Sequence, residues 1–208
     1  VLTEAILKKS AKVIAVEKDD RLIDYLKEKF SSEIKSGKLN LVHGDILEFN
    51  PSHYTLQPNH YVLVANIPYY ITGLIFRKFL ESEIQPSKIV LMVQKEVAER
   101  IVARDKKGSI LSISVKVFGR PKLVKKISAS CFSPRPKVDS AILLVENISS
   151  PFKNLSEKKK FFEILKKGFS HKRKLLKKNL GIADEDLSVC GINTSARAEE
   201  LSVKNWLC

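Results

Sequence analysis

Tyr61-Val62-Leu63-Val64-Ala65-Asn66-Ile67-Pro68-Tyr69 is an apolar run of five residues that stops on Asn, then an apolar residue, a proline and an aromatic. A short continuous apolar run closed by a turn signal reads as a strand buried on both faces, as in parallel sheets. Pro68 restricts the residue before it and has no N–H of its own, so the run must end here and the carbonyls of the turn are presented. Working outward, Val13–Val16, Leu39–Val42 and Ile89–Val93 repeat the pattern, and Leu2–Lys9, Asp19–Phe30, Ile71–Leu80 and Lys95–Ile101 read as helices between them. Asp19-Asp20 suits the positive end of the second helix. This βαβα rhythm predicts a doubly wound α/β sheet, with Lys122–Ser128 and Ser140–Glu146 as a closing antiparallel pair.

The turn after that strand suits one chemistry in particular. An exocyclic base amine attacks poorly, because its lone pair is delocalised into the ring. The Asn66 side-chain oxygen and a neighbouring backbone carbonyl can accept both amine hydrogens and aim the lone pair at a methyl donor. Tyr69 offers a face on which an extruded base can stack. An Asn-Pro turn at a strand end is also common with no such role, so the tetrapeptide alone leaves both readings open.

The charge points the same way. Net charge is +14, from 37 Lys+Arg against 23 Asp+Glu, which favours a polyanionic partner. Residues 151–180 hold 11 basic and two acidic residues. Near Asn147–Pro151 the composition shifts, predicting a boundary between residues 1–148 and a small all-α domain over residues 149–208. In that lobe Glu157–Phe169 has helical spacing with Phe161, Phe162, Leu165 and Phe169 on one side. His171–Leu180 reads as a basic helix stopped by Gly181, and two short helices are expected around Glu185–Cys190 and Ala196–Leu207. No apolar run approaches a membrane span, so no membrane partner is expected. Cys131, Cys190 and Cys208 fit no zinc spacing and leave one unpaired, which suits a reducing cytoplasm. His43, His53, His60 and His171 form no i,i+4 pair, and no metal is assigned.

With these motifs in order, the chain resembles the ribosomal RNA adenine dimethyltransferase family of the KsgA type over nearly its whole length. The stretches that carry the resemblance are V-I-A-V-E-K-D-D-R-L (Val13–Leu22), H-G-D-I-L (His43–Leu47), V-A-N-I-P-Y-Y (Val64–Tyr70), Q-K-E-V-A-E-R-I (Gln94–Ile101), F-S-P-R-P-K-V-D-S-A (Phe132–Ala141) and R-A-E-E-L-S (Arg197–Ser202). The resemblance implies a class I, Rossmann-like methyltransferase sheet and S-adenosylmethionine as methyl donor. It also implies a target of two adjacent adenines near the 3′ end of small-subunit rRNA, with the assembling small subunit as partner and the enzyme acting as a monomer. V-L-T-E-A-I-L at Val1 resembles the stretch just after the family's glycine-rich donor loop. The chain is therefore read as lacking the first strand and glycine loop, and as inactive alone.

Each candidate residue follows from the same register. Glu17 would accept from the donor's ribose and Lys18 would contact the donor beside it, Asp45 and Ile46 would meet the donor's adenine, and Asn66 would meet the donor at the reacting end. Asn66, Ile67, Pro68 and Tyr69 form the catalytic motif. Phe132 is either the second wall of the target-adenine pocket or a core residue entering the next strand. Tyr70 is expected in the core. Gln94, Lys95 and Glu96 are expected to hold the sheet edge and loop. Arg135 and Lys137 would flank the pocket, while Lys172, Arg173 and Lys174 would contact phosphates. The loop Ala103–Ser109 is shorter than the family's usual stretch. Two alternatives stay open: an Erm-type methyltransferase of large-subunit RNA, and an assembly factor that binds RNA without methylating it.

Overall fold

The computed structural model describes residues 2–103 and 108–208, and the chain forms two compact units, Val1–Leu56 and Gln57–Cys208. The first runs α1 (Leu2–Leu7), β1 (Val13–Glu17), α2 (Asp20–Lys29), α3 (Ser31–Lys35) and β2 (Leu39–His43). β1 and β2 pair in parallel, from Val13 opposite Leu39 to Glu17 opposite His43. Leu7, Phe30 and Leu39 form its core, with Val13, Ala15, Leu26 and Ile34 packed against them. Asp19 starts α2 by accepting from the Arg21 N–H at 3.0 Å, satisfying one of the free donors of the first turn.

The second unit continues with β3 (Val62–Asn66), α4 (Thr72–Leu80), β4 (Lys88–Gln94), α5 (Lys95–Val102), α6 (Ile110–Lys116), β5 (Arg120–Ile127) and β6 (Ser140–Glu146). It ends with the helices α7 (Leu155–Gly168), α8 (Leu176–Leu180), α9 (Asp184–Val189) and α10 (Val203–Leu207). The strand order is β3-β4-β6-β5, with β3 parallel to β4 and β6 antiparallel to both of its neighbours. Ile89, Leu91 and Val93 of β4 and Ala141, Leu143 and Val145 of β6 are fully buried at the centre of this sheet. Tyr61, just before β3, donates its hydroxyl to the Ile84 carbonyl, and burial pushes its pKa up to about 12. The edge strand β5 carries Pro121, a bulge at Leu123–Lys125 and lysines, devices that discourage edge-to-edge pairing. Two of those lysines are held by carboxylates: Lys122 pairs with Glu146, and Lys126 with Glu99 at 2.6 Å.

The strands and their directions match the sequence pattern, but four details differ. The strands fall into two sheets rather than one, and β1 and β3 are half-buried because each is the last strand of its sheet. α6 lies where the sequence reading assigned no element. Ser109 and Ser112 each accept the other's backbone N–H, at 2.8 and 3.2 Å, and start a helix there. The basic helix expected over His171–Leu180 is a turn followed by the shorter α8. The buried Asn179 amide donates to the carbonyls of Gly168 (2.6 Å) and His171 (3.1 Å), groups a continuing helix would use itself. Cys190 and Cys208 are joined in a disulfide, while Cys131 is exposed and free.

α7 buries Phe161 and Leu165, and Phe161 and Phe162 cluster with Phe118 and Phe152 at centroid distances of 5.1–6.3 Å. Of the loop Ala103–Ser109, residues 104–107 lie outside the described residues; Gly108 donates its N–H to the Glu199 carbonyl at 2.8 Å. Among the described residues, no helix is long and apolar enough to cross a membrane.

Candidate active site

Glu17, Asp45 and the Asn66 turn sit at the carboxyl ends of parallel strands, where α/β sheets place their ligands. At the end of β1, Glu17 Oε1 accepts from two consecutive backbone N–H groups, Lys18 and Asp19, each at 2.8 Å. One carboxylate oxygen is thereby fixed, and Oε2 has no hydrogen bond among the described residues. Beyond β2, the Gly44 N–H donates to the Glu17 carbonyl at 2.9 Å, which sets the Asp45 loop beside the end of β1. Asp45 Oδ1 accepts from the Leu47 N–H at 2.8 Å, and Oδ2 lies 2.7 Å from Lys18 Nζ. Lys18 is three-quarters exposed, so it can swing aside or share the carboxylate with an incoming amine. Ile46 is half-buried in the same loop.

In the second unit, Asn66 and Gln94 end their strands on the same side of the sheet on which Ser140 opens β6. Asn66 lies opposite Met92, and Gln94, Ser140 and Ile127 are partners across β4, β6 and β5. Asn66 is exposed, and its side-chain amide has no hydrogen bond among the described residues. Ile67 is buried at 8% exposure and anchors the turn. Pro68 is exposed and accepts from the Ile71 N–H at 3.2 Å, closing a short 3-10 turn over Tyr69–Ile71. The half-buried Tyr69 shares a 2.7 Å hydrogen bond with Ser140 Oγ. Tyr70, expected in the core, is 86% exposed, because successive side chains of a 3-10 turn point about 120° apart and Tyr69 takes the inward direction.

Phe132 is half-buried and follows the 3-10 turn Ala129–Cys131. That turn is held from the head of β6: Asp139 Oδ1 accepts from the Ala129 N–H at 3.0 Å, and Oδ2 lies 3.5 Å from Lys95 Nζ. The Ala129 hydrogen bond holds the Asp139 carboxyl below the usual carboxylate range, with Lys95 and Arg135 adding attraction. Lys95 thus does hold the loop; Glu96 pairs with Arg100 on its own helix. Arg135 and Lys137 are exposed, on either side of Pro136 and after a cis Ser133–Pro134 bond. Lys172, Arg173 and Lys174 are exposed on the turn before α8, with no ion pair among the described residues. No group of three His, Cys, Asp or Glu that could hold a metal ion occurs among the described residues.

Sequence reasoning missed the Lys18–Asp45 pair and the roles of Asp139 and Ser140. Two polar residues directly before the apolar run Ala141-Ile142-Leu143-Leu144-Val145 were the available signal. A serine that opens a central strand and is 0% exposed needs a partner.

Comparison with known proteins agrees with this layout. The family model described as ribosomal RNA adenine dimethylase matches residues 1–208. Ribosomal RNA small subunit methyltransferase A of Dehalococcoides mccartyi is 40% identical over 214 residues, covering 99% of this chain and 72% of that protein. Among solved structures, a dimethyladenosine transferase from Plasmodium falciparum superposes with a TM-score of 0.76 at 27% identity, covering 99% of this chain and 83% of that one. The 23S rRNA methyltransferase ErmE gives the same TM-score at 22% identity, covering 100% and 84%, and so shares the fold. The two units carry the elements of a class I methyltransferase, and the chain belongs to the ribosomal RNA adenine dimethylase family.

Proposed function

We propose that this protein is an S-adenosylmethionine-dependent rRNA adenine-N6 dimethyltransferase acting on small-subunit RNA. The observation that carries this reading is the turn at the end of β3. There an exposed Asn66 amide, with no hydrogen bond among the described residues, sits beside a Tyr69 whose ring is tied in place. The family supports the reaction class, and the 40% identical relative, named for the small subunit, supports the choice of RNA. ErmE, named for 23S rRNA, supports only the fold at 22% identity.

The residues present fit the donor. Glu17 keeps one carboxylate oxygen free for ribose hydroxyls, and Asp45 can accept from an adenine amine while Ile46 offers apolar contact. When bound, the donor supplies an electrophilic methyl group. Asn66 Oδ1, with a carbonyl of the turn, accepts the hydrogens of the target amine and directs its lone pair. Tyr69 and Phe132 stack on the extruded base. No strong general base is required, since the amine proton leaves after the methyl group has arrived. Residues 149–208 act as an RNA-binding lobe, with Lys172, Arg173 and Lys174 on phosphates and Arg135 and Lys137 near the target.

The test is transfer of labelled methyl groups from S-adenosylmethionine to precursor small-subunit particles, beside large-subunit RNA as competitor substrate. Incorporation into the small-subunit particles is expected when the chain is extended at its N-terminus by the family's glycine-rich donor loop. Incorporation confined to large-subunit RNA would favour the Erm-type reading, and RNA binding without any incorporation would favour an assembly factor.

A further inference from the structure

Asp139 and Ser140 are consecutive residues at the head of β6, and each reaches a different part of the candidate site. Ser140 is locked into the sheet between Gln94 of β4 and Ile127 of β5 and is 0% exposed. The other fully buried residues of that strand, Ala141, Leu143 and Val145, are apolar. A hydroxyl in such surroundings costs stability unless it is hydrogen-bonded. Its partner is the Tyr69 hydroxyl at 2.7 Å. Stacking alone would be served equally by Phe at position 69, so the phenol and the buried serine together serve to fix where the ring lies.

Asp139 does the corresponding work on the other side. Its carboxylate takes the Ala129 N–H at 3.0 Å and lies 3.5 Å from Lys95 Nζ, and its carbonyl accepts the Lys95 N–H at 2.9 Å. The turn Ala129–Cys131, which leads into Phe132, is thereby tied to the junction of β4 and α5. Asp139 precedes the strand and Ser140 opens it, so the dipeptide reaches the turn Ala129–Cys131 with one side chain and Tyr69 with the other.

We infer that Asp139 and Ser140 are positioning residues that set the two aromatic walls of the target-base pocket: Ser140 through the Tyr69 hydroxyl, Asp139 through the turn that carries Phe132. The inference rests on the reading of Tyr69 and Phe132 as those walls. Neither residue touches substrate. Their effect is on the alignment of the base, and small misplacements of a reacting group are costly in rate.

The experiment is a double-mutant cycle of Tyr69→Phe and Ser140→Ala, with Asp139→Ala and Asp139→Asn in parallel. Steady-state methyl transfer gives kcat and the KM for RNA. Quenching of 2-aminopurine in a single-stranded RNA reports stacking without any need for turnover. Tyr69→Phe and Ser140→Ala should each lower kcat roughly threefold to tenfold, the worth of one hydrogen bond, with KM within about twofold. The double variant should be no worse than either single one, and both should weaken the quench. Asp139→Ala should do likewise, while Asp139→Asn, which keeps an acceptor for Ala129, should retain most activity. Additive losses, losses in KM alone, or unaltered kcat and quench would overturn the inference. Tyr69→Ala separates the levels: full turnover and quench in that variant would remove the wall reading itself. Loss there with a silent Ser140→Ala would remove only the positioning role.

Discussion

The carboxyl ends of β1 and β2 treat their polar groups differently from the carboxyl end of β3. At the first, both carboxylates are already engaged: Glu17 by two backbone N–H groups, Asp45 by the Leu47 N–H and the Lys18 ammonium. At the second, the Asn66 amide has no hydrogen bond among the described residues, and it is the aromatic beside it that is tied down. On the proposed function, the difference fits what each group would do. Carboxylates that hold polar groups of a bound molecule gain from being aimed beforehand, since less freedom is lost on binding. An acceptor that acts on a reacting amine must have its lone pairs available, so its surroundings are fixed instead. Exposure makes this cheap, because water satisfies Asn66 in the meantime.

The sharpest way to break this contrast is Asn66→Ala. Methyl transfer should fall by about 10²–10³-fold, as when one donor or acceptor aimed at a transition state is removed, with RNA affinity within a few-fold. Turnover assays beside a binding titration check it, and a matched loss of affinity would make Asn66 an ordinary binding group.

Next in size is the triple change of Lys172, Arg173 and Lys174 to Ala. RNA binding should weaken, and the log–log salt slope should flatten by about 0.7 for every single-strand phosphate that the protein no longer neutralises. An unchanged slope would assign the turn before α8 to solubility alone.

The two ends of the Glu17–Asp45 arrangement can be sharpened against each other. Glu17→Ala should weaken donor binding by about tenfold, the worth of a charge-assisted hydrogen bond. Lys18→Ala should change it less, because the Lys18 side chain is three-quarters exposed and pairs with Asp45. Calorimetry with S-adenosylmethionine decides; equal losses would make Lys18 a direct contact.

The smallest effect is in acid. The Asp19 carboxyl is held down to about 2, chiefly by the Arg21 side chain. A lowered folded value means the cap contributes at pH above the ordinary carboxylate range and is lost as pH falls toward 2. Because the Asp19 N–H also donates to Glu17, the start of α2 and the Glu17 carboxylate should loosen together in that window. NMR titration of the Asp19 carboxyl should show the low value, and Arg21→Ala should raise it.

Hydrophobic runs made the strands and their directions legible, since an apolar run ending in a turn signal has few alternatives. α6 was not, because Ile110–Lys116 alternates like a strand and only the reciprocal Ser109–Ser112 bonds make it a helix. The break at His171 depended on the Asn179 amide reaching back 11 residues to the Gly168 carbonyl, a contact no local pattern carries. Tyr70 was misplaced because a Tyr-Tyr pair does not show which ring faces inward; the buried Ser140, 71 residues from Tyr69, decides that. The chemistry-bearing residues were legible where a motif fixed them, at Glu17, Asp45 and Asn66. The residues that steady them were not, since support is a matter of tertiary contact.

The central claim is that the Asn66 turn methylates the exocyclic amine of adenine in small-subunit RNA. Nucleoside mass spectrometry of small-subunit rRNA, after incubation of precursor particles with the protein and S-adenosylmethionine, tests it most directly. The account predicts N6,N6-dimethyladenosine from the chain extended by the glycine-rich donor loop, formed about 10²–10³-fold more slowly once Asn66→Ala is introduced. Dimethyladenosine at undiminished yield from Asn66→Ala, or a methyl group on any atom other than adenine N6, would contradict it.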